Sequence, residues 1–317
     1  MIDHTSQPQD AIAVVKRVTG SDVTTIERFA TGLAHWVYDV RTADGQQLVA
    51  RLTRPVQRWM FEGALFWYEQ LVPLDVPLPK LIHVDLGDGS SFPVMLMERL
   101  PGTDLGNVYL QLDQIEKRRL AERIAAIQQR IATLPLGSGF GYGRTFDDSR
   151  LKPTWKALIE NHLDRSAAQI AEAGVVDRAV VDRVRDRLDV FGDLLATVEP
   201  RCFLDDTTTK NVIVHHGALS GIVDVDQMCF GDQLYTVALT RMSLLARDWP
   251  IDYVEAWCNA LDLHADQQRL LDLYTAIFCV DFLSEQGQQF NKDAPPHVDQ
   301  AEVQRLSDVL DRLLIAL

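Results

Sequence analysis

The spacing of apolar residues passes from mainly strand-like to mainly helical near Pro101-Gly102, and the change limits the chain to a fold of two differently built parts. Before that point VTTIERF and WVYDV are rich in β-branched and aromatic residues, and Asp44-Gly45 supplies a tight turn ahead of QQLVARL. Residues 36–52 therefore read as a β-hairpin. One helix interrupts the strands. In WMFEGALFWYEQL apolar residues recur on one helical face, and Pro73, Pro77 and Pro79 close the segment before two more strand candidates, LIHVDL and PVMLMER. After LPGTDL, the residues Leu120, Ile124, Ile127, Ile131 and Leu134 step by four and three, the period of a helix with one buried stripe. Val303, Leu306, Leu310, Leu313 and Leu317 repeat that stepping. Only residues 202–225 return to β texture, with HHGALS turning a short hairpin. The pattern predicts an α+β protein, with a small β-rich domain over residues 1–100 and a larger, mostly helical domain over 101–317.

A chain of 317 residues, 47% hydrophobic and 24% charged, is able to bury a large core and gives no compositional case for disorder. No apolar run approaches the roughly 20 residues of a membrane span. The start, MIDHTSQPQD, is polar and acidic where a secretory leader would be basic and then apolar. A soluble cytoplasmic protein without membrane association is the expectation. Cys202, Cys229, Cys258 and Cys279 show no C-x-x-C spacing and read as small buried hydrophobes in a reducing compartment. A net charge of -14 argues against nucleic-acid binding and agrees with a cationic small substrate. GSGFGYG, residues 137–143, fits no phosphate-loop pattern and follows a helix, so it reads as a flexible surface connection.

The stretch LDDTTTKNVIV, residues 204–214, sets Asn211 five positions after Asp206, and Asp224 follows one hairpin later in GIVDVDQ. Phosphoryl transfer needs an acceptor for the attacking hydroxyl's proton and metal ions that neutralise the phosphates. In the kinase template one Asp faces the hydroxyl, the Asn of the same loop holds Mg²⁺, and an Asp from a following β-turn completes the metal site. Oxygen ligands suit that hard cation. Asp206, Asn211 and Asp224 have the identities, order and spacing for those roles. The D-x-x-x-x-N spacing alone is weak, because Asp and Asn are favoured in any turn. Its conjunction with the hairpin gives it weight. Upstream, TGLAHWVYDV places Gly32 in the first turn of a strand pair, Arg51 follows in the next strand, and Glu62 lies on the helix after it, placed to pair with Arg51. Taken singly, Arg51 and Glu62 read as solvated side chains.

Together these residues resemble the aminoglycoside and choline kinase-like phosphotransferases, small-molecule relatives of the protein kinases. The resemblance runs from FATGLAHWVYDV through MERLPGTDL to FLDDTTTKNVIV and GIVDVDQMCFGDQLYTVA. FGDQLYTVA is similar to the family's G-D-P-x-x-D-x-A, with Gln233 and Thr236 in place of the usual Pro and Asp, and Leu204 stands where the family usually has His. The resemblance implies a bilobal protein-kinase-like fold, with Asp206 as catalytic base and Asn211 and Asp224 as Mg²⁺ ligands. It also implies Gly32 and Arg51 at the phosphates of ATP or GTP, Glu62 holding Arg51, and Met97, Glu98 and Arg99 at the adenine end. Asp232 would cap its helix.

Asp232 follows Asp224 by only eight positions, which leaves little room for the activation segment of a protein kinase, so a small hydroxylated acceptor is expected. The leading expectation is a Mg²⁺-dependent small-molecule kinase with an aminoglycoside-like acceptor, since VDVDQMCFGDQLYTVA looks most like the antibiotic-modifying branch. Endogenous amino alcohols or sugar amines are alternative acceptors. A nucleotide-binding scaffold without transfer activity is the alternative raised by Leu204 and the altered helix start. Asp147, Asp148, Glu160, Asp252, Glu255 and Glu285 could meet a cationic acceptor, although each reads first as part of a solvated face or loop. His215-His216 belongs to the hairpin turn rather than to a metal site. The sequence leaves the oligomeric state open.

Overall fold

In the computed structural model, which describes residues 8–29, 35–88, 91–288 and 296–317, the first described element is a helix that the strand-rich reading of the first part did not include. This helix, α1 (Pro8–Thr19), begins on a proline, where the missing N–H has no helical partner to lose, and turns Ala11, Val14 and Val15 inward at helical spacing. It lies on a five-stranded antiparallel sheet made of β1 (Val23–Arg28), β2 (Trp36–Thr42), β3 (Gln47–Leu52), β4 (Leu81–Asp85) and β5 (Val94–Glu98), in the order β1-β2-β3-β5-β4. The expected hairpin is β2 and β3, paired from Trp36–Leu52 to Arg41–Gln47. Strand alternation sorts the side chains between two faces. Leu48, Ala50, Leu52, Val94 and Leu96 pack with α1. Val49, Met95 and Met97 point the other way and are covered by Phe61 and Ala64 of α2 (Arg58–Leu71). Arg51, two positions after Val49, projects from that second face.

The chain leaves β5 and turns at Pro101-Gly102. Gly102 has φ +100°, and a Cβ there would lie 2.1 Å from the Val214 carbonyl oxygen, so the turn admits no side chain. Beyond it run β6 (Thr103–Asp104), α3 (Leu105–Val108), α4 (Gln114–Ile131), β7 (Gly141–Gly143), α5 (Trp155–Ala173), α6 (Ala179–Leu188) and α7 (Gly192–Ala196). Then come β8 (Cys202–Phe203), β9 (Val212–His215), β10 (Ala218–Ile222), β11 (Met228–Phe230), α8 (Leu234–Ala246), α9 (Asp252–Leu261), α10 (Ala265–Glu285) and α11 (Gln300–Ala316). The short strands form two three-stranded sheets, β10-β9-β6 and β7-β11-β8. The helical stripes expected from the sequence, Leu120, Ile124, Ile127 and Ile131 on α4 and Leu306, Leu310 and Leu313 on α11, enter one large core. Among the described residues no helix is long and apolar enough to cross a membrane.

One expectation is corrected here. GSGFGYG is not a flexible surface connection, because its last three residues are β7, paired antiparallel with β11. Added Cβ atoms at Gly137 and Gly143 would meet the Phe230 ring at 2.6 and 2.7 Å. The glycines let an aromatic core approach the backbone, and they carry Tyr142 inward between them.

Candidate active site

Between β8 and β9 runs the loop that carries Asp206 and Asn211, and it is clamped from behind. Gln128 occupies a position four after Ile124 in the apolar stripe of α4 and is buried. Its Nε2 donates to the Leu204 carbonyl (2.7 Å) and to Thr207 Oγ1 (3.1 Å), while the Leu204 amide donates to Gln128 Oε1 (2.9 Å). Within the loop Thr208 donates to Asp206 Oδ1 (2.7 Å), and Asn211 Nδ2 donates to the Asp206 carbonyl (3.0 Å). That bond turns the amide nitrogen of Asn211 into the loop and leaves Oδ1 as its other end. The Val223 amide donates to the Asn211 carbonyl at 3.0 Å, which ties the loop to the residue just before Asp224.

Asp224 sits at φ 65°, a left-handed conformation that Asp tolerates better than most residues, and its side chain is 54% exposed. Arg51 reaches it across the cleft, with Nη2 3.0 Å from Asp224 Oδ1. The same guanidinium grips Asp226 with two bonds, Nη1 to Oδ1 at 2.9 Å and Nη2 to Oδ2 at 2.8 Å. His35 Nε2 completes the cluster 2.6 Å from Asp226 Oδ2. Burial works against the charge of Arg51, but Asp226 and Asp224 outweigh it, and the guanidinium is held firmly protonated. Burial also opposes the Asp226 carboxylate, yet the Arg51 charge and the His35 contact hold its pKa below the usual range. Asp224 is half open at its own surface but walled in by the cleft around it, and that enclosure together with the neighbouring Asp226 outweighs Arg51 and pushes the pKa up.

The expected Arg51–Glu62 pair is not made. Glu62 Oε1 instead accepts from Arg58 Nε at 2.9 Å, one turn away on an exposed face of α2. The helical period explains this. Phe61 faces Arg51, 5.6 Å from its guanidinium carbon, so Glu62 is rotated about 100° away. Asp226, which the sequence reading passed over, takes the place of Glu62.

Two cavities meet at Tyr142, Asp205 and Asp206. The smaller, of about 190 Å³, is also lined by Met60, Asp224 and Asp226. The larger, of about 280 Å³, lies among the helices and is lined by Lys210, Arg247, Asp281, Glu285 and others. Burial, and then the charge of Asp206, push the Asp205 carboxyl up to about 7, with the Tyr142 hydroxyl in partial opposition. Of the six acidic residues weighed for a cationic acceptor only Glu285 lines this cavity; Asp148 is held by Arg144 and Arg150, and Asp252 by Lys117.

The segment expected at the adenine end is not brought to these cavities. Met97 is buried under α2, the Glu98 amide donates to the Lys80 carbonyl (3.0 Å), and Arg99 Nε donates to Asp39 (3.1 Å). Gly32 lies outside the described residues. Among the described residues no cluster of three or more His, Cys, Asp or Glu side chains could hold a metal by itself.

A sequence profile of the phosphotransferase enzyme family matches residues 25–273. The chain belongs to that family. It is a phosphotransferase with an alcohol group as acceptor. A search of curated proteins gave no significant match. Among solved structures, aminoglycoside phosphotransferase APH(4)-Ia aligns with a TM-score of 0.70 and 16% identity, over 98% of this chain and 99% of its own. A thermostable mutant of the same enzyme in ternary complex with ADP and hygromycin B aligns at 0.68 and 17%, over 97% and 98%. The GDP complex of a mutant aminoglycoside 2'-phosphotransferase-IIIa aligns at 0.68 and 14%, over 98% of both chains. These likenesses establish the bilobal kinase-like α+β fold expected from the sequence.

In this phosphotransferase two of the departures from the family pattern, Leu204 and Thr236, lie behind the loop of Asp206 and are accommodated there. Leu204 is buried, with both backbone groups bonded to Gln128. Thr236, in place of the usual Asp, meets the Thr207 hydroxyl at 3.1 Å. Asp232 accepts from the Leu234 amide (3.0 Å) and the Tyr274 hydroxyl (3.1 Å), the helix-start role expected of it. Sequence signals for the residues passed over were present: Gln128 is a polar residue inside an apolar stripe, and Asp226 repeats Asp224 at D-x-D spacing.

Proposed function

We propose that this phosphotransferase is a Mg²⁺-dependent small-molecule kinase of the cytoplasm. It moves the γ-phosphate of ATP or GTP to a hydroxyl of an aminoglycoside-like or other small amino or hydroxyl compound. Residues 1–100 form its nucleotide-binding lobe, and residues 101–317 its helical lobe with catalytic loop and acceptor site. The observation that carries the reading is the position of Asp206 at the junction of two cavities, one beside Asp224 and Asp226 and one among the helices. A donor and an acceptor entering from opposite sides would meet at that carboxylate.

In this reading the acceptor hydroxyl lies against Asp206, which Thr208 and the clamped backbone hold in place. Asp206 takes the hydroxyl proton as the oxygen bonds to the γ-phosphorus. The bond from that phosphorus to the β–γ bridging oxygen breaks, and the electron pair leaves with the nucleoside diphosphate. Arg51 supplies a fixed positive charge for the phosphates, positioned by Asp226 and His35. Asn211 Oδ1 and the open carboxylate of Asp224 are hard oxygen donors, one of them charged, which fits a cation that takes few protein ligands and binds phosphate. Mg²⁺ bound there would neutralise developing phosphate charge. The scaffold alternative loses its motive, because Leu204 and Thr236 support the loop.

The test is a coupled nucleotide-turnover assay with Mg²⁺, run with ATP and with GTP across aminoglycosides, amino sugars and amino alcohols. Acceptor-dependent turnover that falls by roughly 10²–10⁴ in Asp206→Asn, with nucleotide affinity kept, is the expected result. Full turnover in that variant would remove Asp206 from the base role. Resistance to an aminoglycoside would follow only if such a compound is the acceptor.

A further inference from the structure

Resting on the phosphotransfer reading, we infer that the acceptor is a small zwitterion. It would be a hydroxyl compound carrying one ammonium group, received by Glu285 and Glu302, and one carboxylate or similar oxyanion, received by Lys210 and Arg247.

The charged side chains of the larger cavity fall into two groups. Asp281 and Arg165 neutralise each other at 2.8 Å, with Ser166 donating to the same carboxylate at 3.1 Å and His162 Nε2 2.9 Å from it. The other four make no contact ion pair among the described residues: Lys210 and Arg247, Glu285 and Glu302 line the cavity and attract one another only at longer range. Arg247 is fixed, donating to the Ser243 carbonyl (3.2 Å) and stacked 5.2 Å over the Trp249 ring, so its charge faces the cavity with Glu302 as a longer-range counter-charge and no carboxylate in contact. Lys210 stands four residues after Asp206 in the same loop, beside the point where the hydroxyl reacts.

Each simpler acceptor leaves one group facing its own sign. A polycation would meet Lys210 and Arg247 well inside the roughly 8–10 Å over which charges act in salt. A plain hydroxy acid would meet Asp206, Glu285 and Glu302. A compound with one charge of each sign pairs both groups. Glu285 agrees with this. Burial and then Asp281 push its carboxyl up to about 7, and Lys210 and Arg165, neither of which contacts it, pull the other way without offsetting them. Size points the same way: about 280 Å³ lies at the small end of the roughly 300–1,000 Å³ of ligand pockets and does not match a polycation of several rings.

The experiment uses the full chain with Mg²⁺-ATP and Mg²⁺-GTP and matched acceptor sets. Hydroxy amino acids (serine, homoserine, 4-hydroxyproline) are compared with the amino alcohols that lack the carboxylate, the hydroxy acids that lack the amine, and kanamycin. The expected result is a kcat/KM for one zwitterion roughly tenfold or more above that of its two matched partners. In Arg247→Ala and Lys210→Gln the KM for that zwitterion rises roughly tenfold, while the KM of nucleotide and of the matched amino alcohol does not rise. A structural defect would move all three. Preference for the amine-only compounds or kanamycin overturns the inference and leaves the kinase reading standing. So does silence from every zwitterion while nucleotide still binds by calorimetry. Absence of nucleotide binding overturns both.

Discussion

Asp226→Asn keeps the shape of a buried side chain and deletes the charge on which the Arg51 cluster depends. Both side chains of the Arg51–Asp226 pair are 8% exposed, and Asp226 receives two guanidinium bonds as well as His35. Removing one partner of a buried ion pair costs about 3–5 kcal/mol, because the other charge is left without compensation. Here Asp224 remains 3.0 Å from Arg51, although its side chain is half open to water, so the lower end, about 3 kcal/mol, is expected. Urea denaturation at neutral pH measures this. A double-mutant cycle with Arg51→Met isolates the pair, with an expected coupling of about 2 kcal/mol or more. Nucleotide affinity should fall along with stability, since Arg51 loses the group that orients it. Loss of less than about 0.5 kcal/mol, or a coupling near zero, would refute the account of Arg51 as held by Asp226.

Two further substitutions test what holds the site in place. Glu62→Ala should change stability by less than about 0.5 kcal/mol and leave the nucleotide KM where it was, because among the described residues Glu62 bonds only to Arg58, on an exposed face; a clear rise in KM would restore Glu62 as a partner of Arg51. Gln128→Ala strands the buried amide and carbonyl of Leu204, at about 1–3 kcal/mol for each unsatisfied group. It should lower kcat more than it raises the nucleotide KM, because the loop of Asp206 loses its clamp, and unchanged stability and turnover would contradict that role.

Local signals made much of the fold legible. Asp44-Gly45 fixed the β2–β3 hairpin, and helical stepping marked α2, α4 and α11. The spacing of Asp206, Asn211 and Asp224 was readable because one loop and one hairpin carry all three, and the Val223–Asn211 backbone bond is what that spacing permits. The partner of Arg51 was not readable. It lies 175 positions away in sequence, whereas Glu62 was near in sequence and turned aside by the period of its helix. The role of GSGFGYG was hidden because glycine marks both a loose connection and a strand packed against an aromatic ring, and only the position of Phe230 separates them. The larger cavity draws Arg165, Lys210, Arg247, Glu285 and Glu302 from separate elements, and no window of sequence contains them together.

Calorimetric titration of a non-hydrolysable ATP or GTP analogue into the wild-type chain and Asp224→Ala, each with and without Mg²⁺, tests the proposed metal and phosphate site. Mg²⁺ should strengthen binding to the wild type, and this gain should be lost in Asp224→Ala while the fold, read by circular dichroism, is kept. Nucleotide binding that ignores both Mg²⁺ and Asp224 would place the phosphates elsewhere and contradict the site built from Asp206, Asn211 and Asp224.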